Sequence, residues 1–199
     1  LNKIDWCAAL LDEQLPENRE LQIIRGSVDH LRALLQRTRM HTGRVVLSPG
    51  DCDVRALFEQ IIRETPHTDA LRIEIDRCDD APLYCDPSHV REALTNLVGN
   101  AVEAMRGSGR ITLSYVRTAH KASVSVCDDG PGMTPAAQKR IFEPYYTTKT
   151  SGENFGLGLY YCQNVMNVHE GSIRVSSAPG KGCTFTLIFP LAAQGRRKP

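Results

Sequence analysis

Val124-Ser125-Val126-Cys127-Asp128-Asp129-Gly130-Pro131-Gly132 reads as a β-strand that ends in a carboxylate and then turns sharply on two glycines around a proline. A carboxylate at a strand end can accept a hydrogen bond from the exocyclic amine of adenine, and the glycines let backbone pass close to a ring. Taken alone, Asp-x-Gly-x-Gly serves a hairpin or an Asx turn equally well. Two further stretches change its meaning. Downstream, Gly156-Leu157-Gly158-Leu159 sits immediately before a helical pattern, so its backbone N–H groups and the helix dipole face the loop mouth, where phosphate is the natural occupant. No Gly-Lys-Ser or Gly-Lys-Thr follows, and the spacing is not that of a dinucleotide loop.

Upstream, Asp86-Pro87 supplies an N-cap followed by proline at the first helical position, which predicts a helix running to about Met105. Turning about 100° per residue gathers Glu92, Asn96, Asn100 and Glu103 on one stripe and Val90, Leu94, Leu97, Val98, Ala101 and Met105 on the other. Two asparagines one turn apart in mid-helix point to work for their amides, since asparagine favours caps and turns. An amide oxygen is a hard donor suited to Mg²⁺, which takes few protein ligands when phosphates supply the rest. Asn100 is the expected ligand; Asn96 would order a metal-bound water or a phosphate.

Between the glycine stretches lie Phe142 and Tyr145, read as anchors, and a polar run through Lys149 with the composition of a lid. Lys149 either reaches a terminal phosphate as a point charge or is an ordinary solvated lysine.

The remaining elements follow outward. Helix is expected near Val54 to Glu64 and from Thr134-Pro135 to about Phe142, then over Leu157 to His169. Strands are expected at Leu71 to Ile75, Leu83 to Cys85, Arg110 to Arg117, Ala122 to Cys127, Ser172 to Ser176 and Cys183 to Phe189. Together they make an α+β class fold, a two-layer sandwich with a mixed sheet packed on helices. Leu21, Ile24, Val28, Leu31 and Leu35 stripe a long helix that pairs with a shorter one before Pro16, giving a partial antiparallel helical hairpin over 1–46. The breaker cluster Ser48-Pro49-Gly50 opens a domain spanning 47–191, and 192–199 reads as a disordered tail.

A formal net charge of +1 across 199 residues offers no basic field for nucleic acid or an anionic membrane, and no apolar run approaches the roughly 18 residues a bilayer demands. Seven cysteines without CxxC pairs suit a reducing cytosol in which most act as small core residues.

With these residues in view, the chain resembles the ATP-binding catalytic region of sensor histidine kinases, a branch of the superfamily shared with gyrase, Hsp90 and MutL. Asn96 to Glu103 resembles the family's N box, Asp128 to Gly132 its first glycine box, Phe142 to Tyr146 its F box and Gly156 to Leu159 its second glycine box. Gly180-Lys181-Gly182-Cys183-Thr184-Phe185 resembles the terminal glycine segment. The resemblance implies ATP and Mg²⁺ as cofactors, held by Asn96, Asn100, Asp128, Gly130, Gly132, Tyr146, Thr148, Lys149, Gly156, Leu157, Gly158, Leu159 and Thr184. Within that set Asn100 binds the metal, Asp128 binds adenine supported by the Thr184 hydroxyl, and Asn96 and Lys149 serve catalysis. Glu103 departs from the lysine many members carry.

In the ATP-hydrolysing branches the position of Asn96 resembles a glutamate that activates water; an amide cannot act as that base, which favours transfer to a protein nucleophile. No histidine here sits in a His-acidic-x-x-Asn/Thr-Pro setting. His30, after Asp29, is the nearest candidate, but its surroundings look like the second hairpin arm, so the acceptor is expected just upstream of Leu1. The resemblance further implies a homodimer through the hairpin, a response-regulator receiver domain as partner, no nucleic acid, no membrane contact by this stretch and a cytoplasmic location. The alternatives are a serine kinase of related fold and a nucleotide-gated dimeric scaffold without phosphotransfer.

Overall fold

A computed structural model describes residues 47–66, 69–147 and 156–191 of the chain. The hairpin expected over 1–46, the tail over 192–199, and Thr148 and Lys149 lie outside the described residues.

The first element is a short strand, β1 (Gly50–Cys52), which pairs antiparallel with β3 (Leu83–Cys85). It lies in the stretch read as a breaker cluster, too short to carry an alternating pattern of its own. Helix α1 (Val54–Glu64) begins where Asp53 caps it, its Oδ1 accepting the Ala56 N–H at 3.0 Å. It buries Val54, Leu57, Phe58 and Ile61, positions three and four apart that share one face.

Strand β2 (Leu71–Cys78) runs three residues beyond the expected span, with a bulge between Ile75 and Arg77. Helix α2 (Pro87–Ala104) then crosses over and returns the chain to β4 (Gly109–Arg117), which pairs parallel with β2. This crossover is what makes the sheet mixed. β5 (Lys121–Asp128), β6 (Ser172–Ser177) and β7 (Cys183–Pro190) complete it in the order β2-β4-β5-β7-β6, all other pairs antiparallel.

Side chains alternate across the sheet, so one face is apolar. Ile111, Leu113 and Tyr115 of β4, Val124 and Val126 of β5, and Phe185, Leu187 and Phe189 of β7 are buried. The second layer comprises α1, α2 and α4 (Gly158–Val168), whose buried Cys162, Val165 and Met166 complete the core. Each fully buried side chain of this size contributes about 1.5–3 kcal/mol relative to exposure. The opposite sheet face carries Thr112, Ser114, Ser123, Ser125, Thr184 and Thr186, all half-buried. This is the expected sandwich of a mixed sheet on helices. Among the described cysteines, Cys52, Cys85, Cys162 and Cys183 are buried and all six are free thiols.

One helix falls short. α3 (Pro135–Gln138) starts as expected, with Thr134 Oγ1 accepting the Ala137 N–H, but spans four residues and buries none. Without an apolar face nothing holds further turns in place. Gln138 instead donates through Nε2 to the backbone oxygens of Met133 and Ser177, at 3.1 and 2.8 Å.

Candidate functional site

The polar stripe of α2 is positioned by its N-terminus. Asp86 is buried, and its carboxylate accepts the N–H groups of Ser88 and His89 at 3.0 and 3.1 Å and that of Ser48 at 2.8 Å. Burial pushes the carboxyl pKa up, but these N–H groups and the nearby His89 outweigh it, and the net shift is downward. The Asp86 N–H donates to His169 Nε2 at 2.9 Å, leaving Nδ1–H to donate to Val165 O at 2.7 Å. The last turn of α4 is thereby pinned to the first turn of α2.

Along α2 the Asn96 amide is oriented by its own helix, Nδ2 donating to Glu92 O at 3.0 Å. Its oxygen faces the start of α4: a Cβ added at Gly158 would lie 3.1 Å from Asn96 Oδ1. Only a residue without a side chain brings the helices this close without a neighbour giving way. A turn later on α4, Tyr161 donates its O–H to Glu92 Oε2 at 2.6 Å. His89 Nδ1 lies 3.0 Å from the same phenol oxygen and, with the phenol proton committed to Glu92, acts as the donor. Burial and then Glu92 push the Tyr161 pKa well above its usual value, in keeping with a neutral phenol on a carboxylate. Asn100, one turn beyond Asn96, is half-buried, and its amide has no hydrogen-bond partner among the described residues.

The start of α4 differs from the other described helices. Asp53, Asp86 and Thr134 cap α1, α2 and α3, whereas Leu157 stands at the N-cap of α4 and no side chain closes it. The first N–H groups of α4 are therefore open to an anion at the point where Asn96 meets the helix. Gly156, Leu157, Gly158 and Leu159 are all half-buried there. Gly156 O accepts the Tyr145 N–H at 3.1 Å, tying the aromatic stretch to the glycine stretch. Phe142 meets Phe185 edge-on, centroids 6.4 Å apart, as an anchor would. Tyr145 is 47% exposed and does not bury its ring as one; Tyr146 is half-buried beneath the Arg140 guanidinium, 4.5 Å from its centroid.

Asp128 ends β5 on the apolar face and is 7% exposed. Its Oδ1 accepts the Gly130 N–H at 3.0 Å, and the Cys183 backbone N–H acts on the carboxyl electrostatically. Burial raises the Asp128 pKa, with Asp129 adding to it and the two N–H groups opposing. The turn that follows is interlocked with the hairpin before β7. Gly182 donates to Gly130 O at 3.0 Å and Gly180 to Pro131 O at 2.7 Å. Ser177 Oγ accepts the Met133 N–H and donates to Gly182 O. Gly132 and Gly182 have φ of 67° and 70°, and a Cβ on either would fall 2.0 Å from a backbone oxygen, that of Ala178 or of Asp128 respectively. These two glycines permit backbone to pack on backbone.

Thr184 does not join this group. It pairs with Cys127 in the β5–β7 ladder and points to the outer sheet face, whereas Asp128 pairs with Cys183 on the inner face. The residue beside the carboxylate is thus Cys183, 7% exposed. Period-two alternation would have found it, because Phe185, Leu187 and Phe189 already mark odd positions as core. The Glu92–Tyr161–His89 chain was out of reach, since it joins residues 69 and 72 positions apart in sequence.

A sandwich with a buried carboxylate at one strand end, and an uncapped helix start facing the Asn96 amide, is the frame of a nucleotide-binding catalytic domain. The comparisons carry this to a family: residues 85–193 match the histidine kinase-, DNA gyrase B- and HSP90-like ATPases, and the chain belongs to that family. Within it the chain carries the ATP-binding catalytic domain of the sensor histidine kinase type. It is 40% identical over 118 residues to the signal transduction histidine-protein kinase AtoS of Escherichia coli, covering 59% of this chain and 19% of that protein. It is 39% identical over 178 residues to the adaptive-response sensory kinase SasA of Crocosphaera subtropica, covering 87% of this chain and 45% of that one. A crystal structure of full-length ShkA in complex with AMPPNP superposes with a TM-score of 0.77 at 26% identity, over 92% of this chain and 41% of that one. The chain thus spans less than half the length of these relatives. Among the described residues no helix is long and apolar enough to cross a membrane.

Proposed function

We propose that this protein binds Mg-ATP and transfers the γ-phosphoryl group to an imidazole nitrogen of a histidine, for relay to an aspartate of a response-regulator receiver domain. The observation that carries the reading is the open N-terminus of α4 set against Asn96 across Gly158. Asp128 would accept the exocyclic amine of adenine and so fix the base end. N–H groups over Gly156 to Leu159 would hold the phosphates. That the ShkA structure contains AMPPNP supports a triphosphate-like ligand at the same fold.

Asn100 would offer its amide oxygen to Mg²⁺. A lone amide oxygen fits an ion that takes one or two protein ligands when phosphate oxygens and water supply the rest. When bound it would supply charge neutralisation to the phosphoryl oxygens. Lys149, outside the described residues, would add a point charge, and Tyr146 and Thr148 would flank the phosphate path. Transfer breaks the bond between the γ-phosphorus and the ADP oxygen as a nitrogen–phosphorus bond forms. Asn96 cannot take a proton from water, which supports a protein nucleophile over hydrolysis. The names of AtoS, a signal transduction histidine-protein kinase, and SasA, an adaptive-response sensory kinase, support the same reaction; a homodimer through the segment before residue 47 and a cytoplasmic site of action complete the proposal.

The test is incubation of the full-length protein with γ-labelled ATP followed by acid and alkali treatment. Acid-labile, alkali-stable label is expected. Acid-stable label would replace the histidine with serine, and no label would leave a nucleotide-gated scaffold.

A further inference from the structure

Helices α2 and α4 run past each other in opposite directions and touch at successive levels. Gly158 lies against Asn96, Tyr161 bonds Glu92 Oε2 at 2.6 Å, Cys162 Sγ donates to Ala93 O at 3.4 Å, and His169 Nε2 accepts the Asp86 N–H at 2.9 Å. The Tyr161–Glu92 bond comes directly after the Gly158 contact, and each of its two residues also holds one side of that contact. The Tyr161 backbone N–H closes the first turn of α4 on Leu157 O at 2.8 Å, while its hydroxyl reaches across to Glu92. Glu92 takes that hydroxyl on its side chain and Asn96 Nδ2, at 3.0 Å, on its backbone oxygen. Two residues thus join the uncapped turn to the amide it faces. His89 Nδ1, 3.0 Å from the phenol oxygen, steadies the same hydroxyl from the first turn of α2.

Packing alone does not require this hydroxyl. Tyr161 shares the buried face of α4 with Cys162, Val165 and Met166, where the ring of phenylalanine would fill the same space. Its O–H donates instead to a carboxylate, a charge-assisted bond roughly twice as strong as a neutral one. We infer that Tyr161 is a positioning residue for the phosphates, its hydroxyl holding the open first turn of α4 in register with the Asn96 amide through Glu92. This rests on the phosphate-binding role proposed for that turn. The N–H groups there act as a set, and a shift of about 1 Å against Asn96 weakens the phosphate contacts together. The carboxylate of the base end stands on β5 and its glycine turn, so loss of the hydroxyl falls on phosphate rather than on adenine.

The experiment is titration of the wild-type chain, Tyr161→Phe, Glu92→Ala and Glu92→Gln with ADP and with adenosine, which carries the base without phosphate, followed by NMR to reach weak dissociation constants. Tyr161→Phe and Glu92→Ala are expected to weaken ADP about five- to tenfold and adenosine less than about twofold. Glu92→Gln keeps an oxygen that accepts the hydroxyl and is expected to stay within about threefold of wild type for ADP. Thermal melts check each fold, and Glu92→Ala, at a half-buried position, carries the test should Tyr161→Phe fold poorly. Equal weakening of both ligands would mean that the bond acts only through the fold and would overturn the inference. So would ADP affinity unchanged in both Tyr161→Phe and Glu92→Ala, or Glu92→Gln as weak as Glu92→Ala. A wild-type chain that binds ADP no more tightly than adenosine would instead remove the phosphate-site reading, and the inference with it.

Discussion

Asp128→Asn tests the base site most directly, and the fold makes the substitution less innocent than its shape suggests. The carboxylate accepts the Gly130 N–H at 3.0 Å through Oδ1. Asparagine can keep its oxygen toward Gly130, but the acceptor is then neutral and an NH₂ replaces the second oxygen. That costs about 1 kcal/mol of stability, or roughly 2–4 °C in melting temperature for a chain of this size. Nucleotide loses a charged acceptor for its amine, worth about 1.5–3 kcal/mol and hence about 10- to 150-fold in affinity. The pH dependence separates the two effects. Burial holds the folded pKa of Asp128 above its unfolded value, so its contribution to stability is full at low pH and is lost as pH rises through the folded value. Binding runs the other way, strengthening as the acceptor ionises over that same interval. ADP titrations and thermal melts between about pH 4 and about pH 8 should show these opposite trends in the wild type, both absent in Asp128→Asn. A folded variant that binds ADP within twofold of wild type would refute the base-acceptor role.

Gly182→Ala, with φ of 70° and a Cβ falling 2.0 Å from Asp128 O, should cost more than about 3 kcal/mol in urea unfolding or abolish folding. Gly180→Ala, at φ of 72° with open space around it, should cost only about 1–2 kcal/mol, and equal losses would show that contact is not the cause. Tyr161→Phe and Glu92→Ala should be coupled by about 1–3 kcal/mol in a double-mutant cycle, because the 2.6 Å bond leaves a polar group stranded in either single variant; additive losses would contradict this. Asp86→Ala should cost about 2 kcal/mol, at the upper end for an N-cap. Since the folded pKa of Asp86 is lowered, its contribution is full above the ordinary 3.8 and fades as pH falls below that. A wild-type advantage that persists undiminished in strong acid would be inconsistent with the carboxylate as cap.

Much of this architecture is legible in the sequence because local rules suffice for it. The Asp86-Pro87 cap and the two stripes of α2 gave its start and buried face, and every apolar position named on that helix is in the core. Helix α1 likewise carries its own cap and its own stripe. What stayed hidden depends on other parts of the chain. The glycines at 132 and 182 are needed because Ala178 and Asp128 approach from 46 and 54 residues away. α3 stops early because no apolar face stabilises further turns, a fact of packing that the Thr134-Pro135 signal cannot report. Thr184 was favoured for its hydroxyl when the strand period already put it outside. The resemblance chose the residue, and the strand register places it on the outer face.

The two ends of the site are built on different physical terms, and this bears on how a nucleotide would use them. At the base end most polar atoms are already occupied: Asp128 Oδ1 by the Gly130 N–H, Ser177 by Met133 and Gly182, Gly130 O by Gly182. A base arriving there meets a fixed carboxylate and displaces little, so the gain is mainly discrimination. At the phosphate end the first turn of α4 has no side-chain cap and Asn100 has no partner among the described residues. An anion there satisfies donors that otherwise rely on water, in the field of the helix dipole. On the proposed function, the base end would select while the phosphate end would supply most of the affinity. The His169 and Tyr161 bridges between α2 and α4 fix the position of Asn96 against the start of α4, where the phosphates would sit on the proposed function.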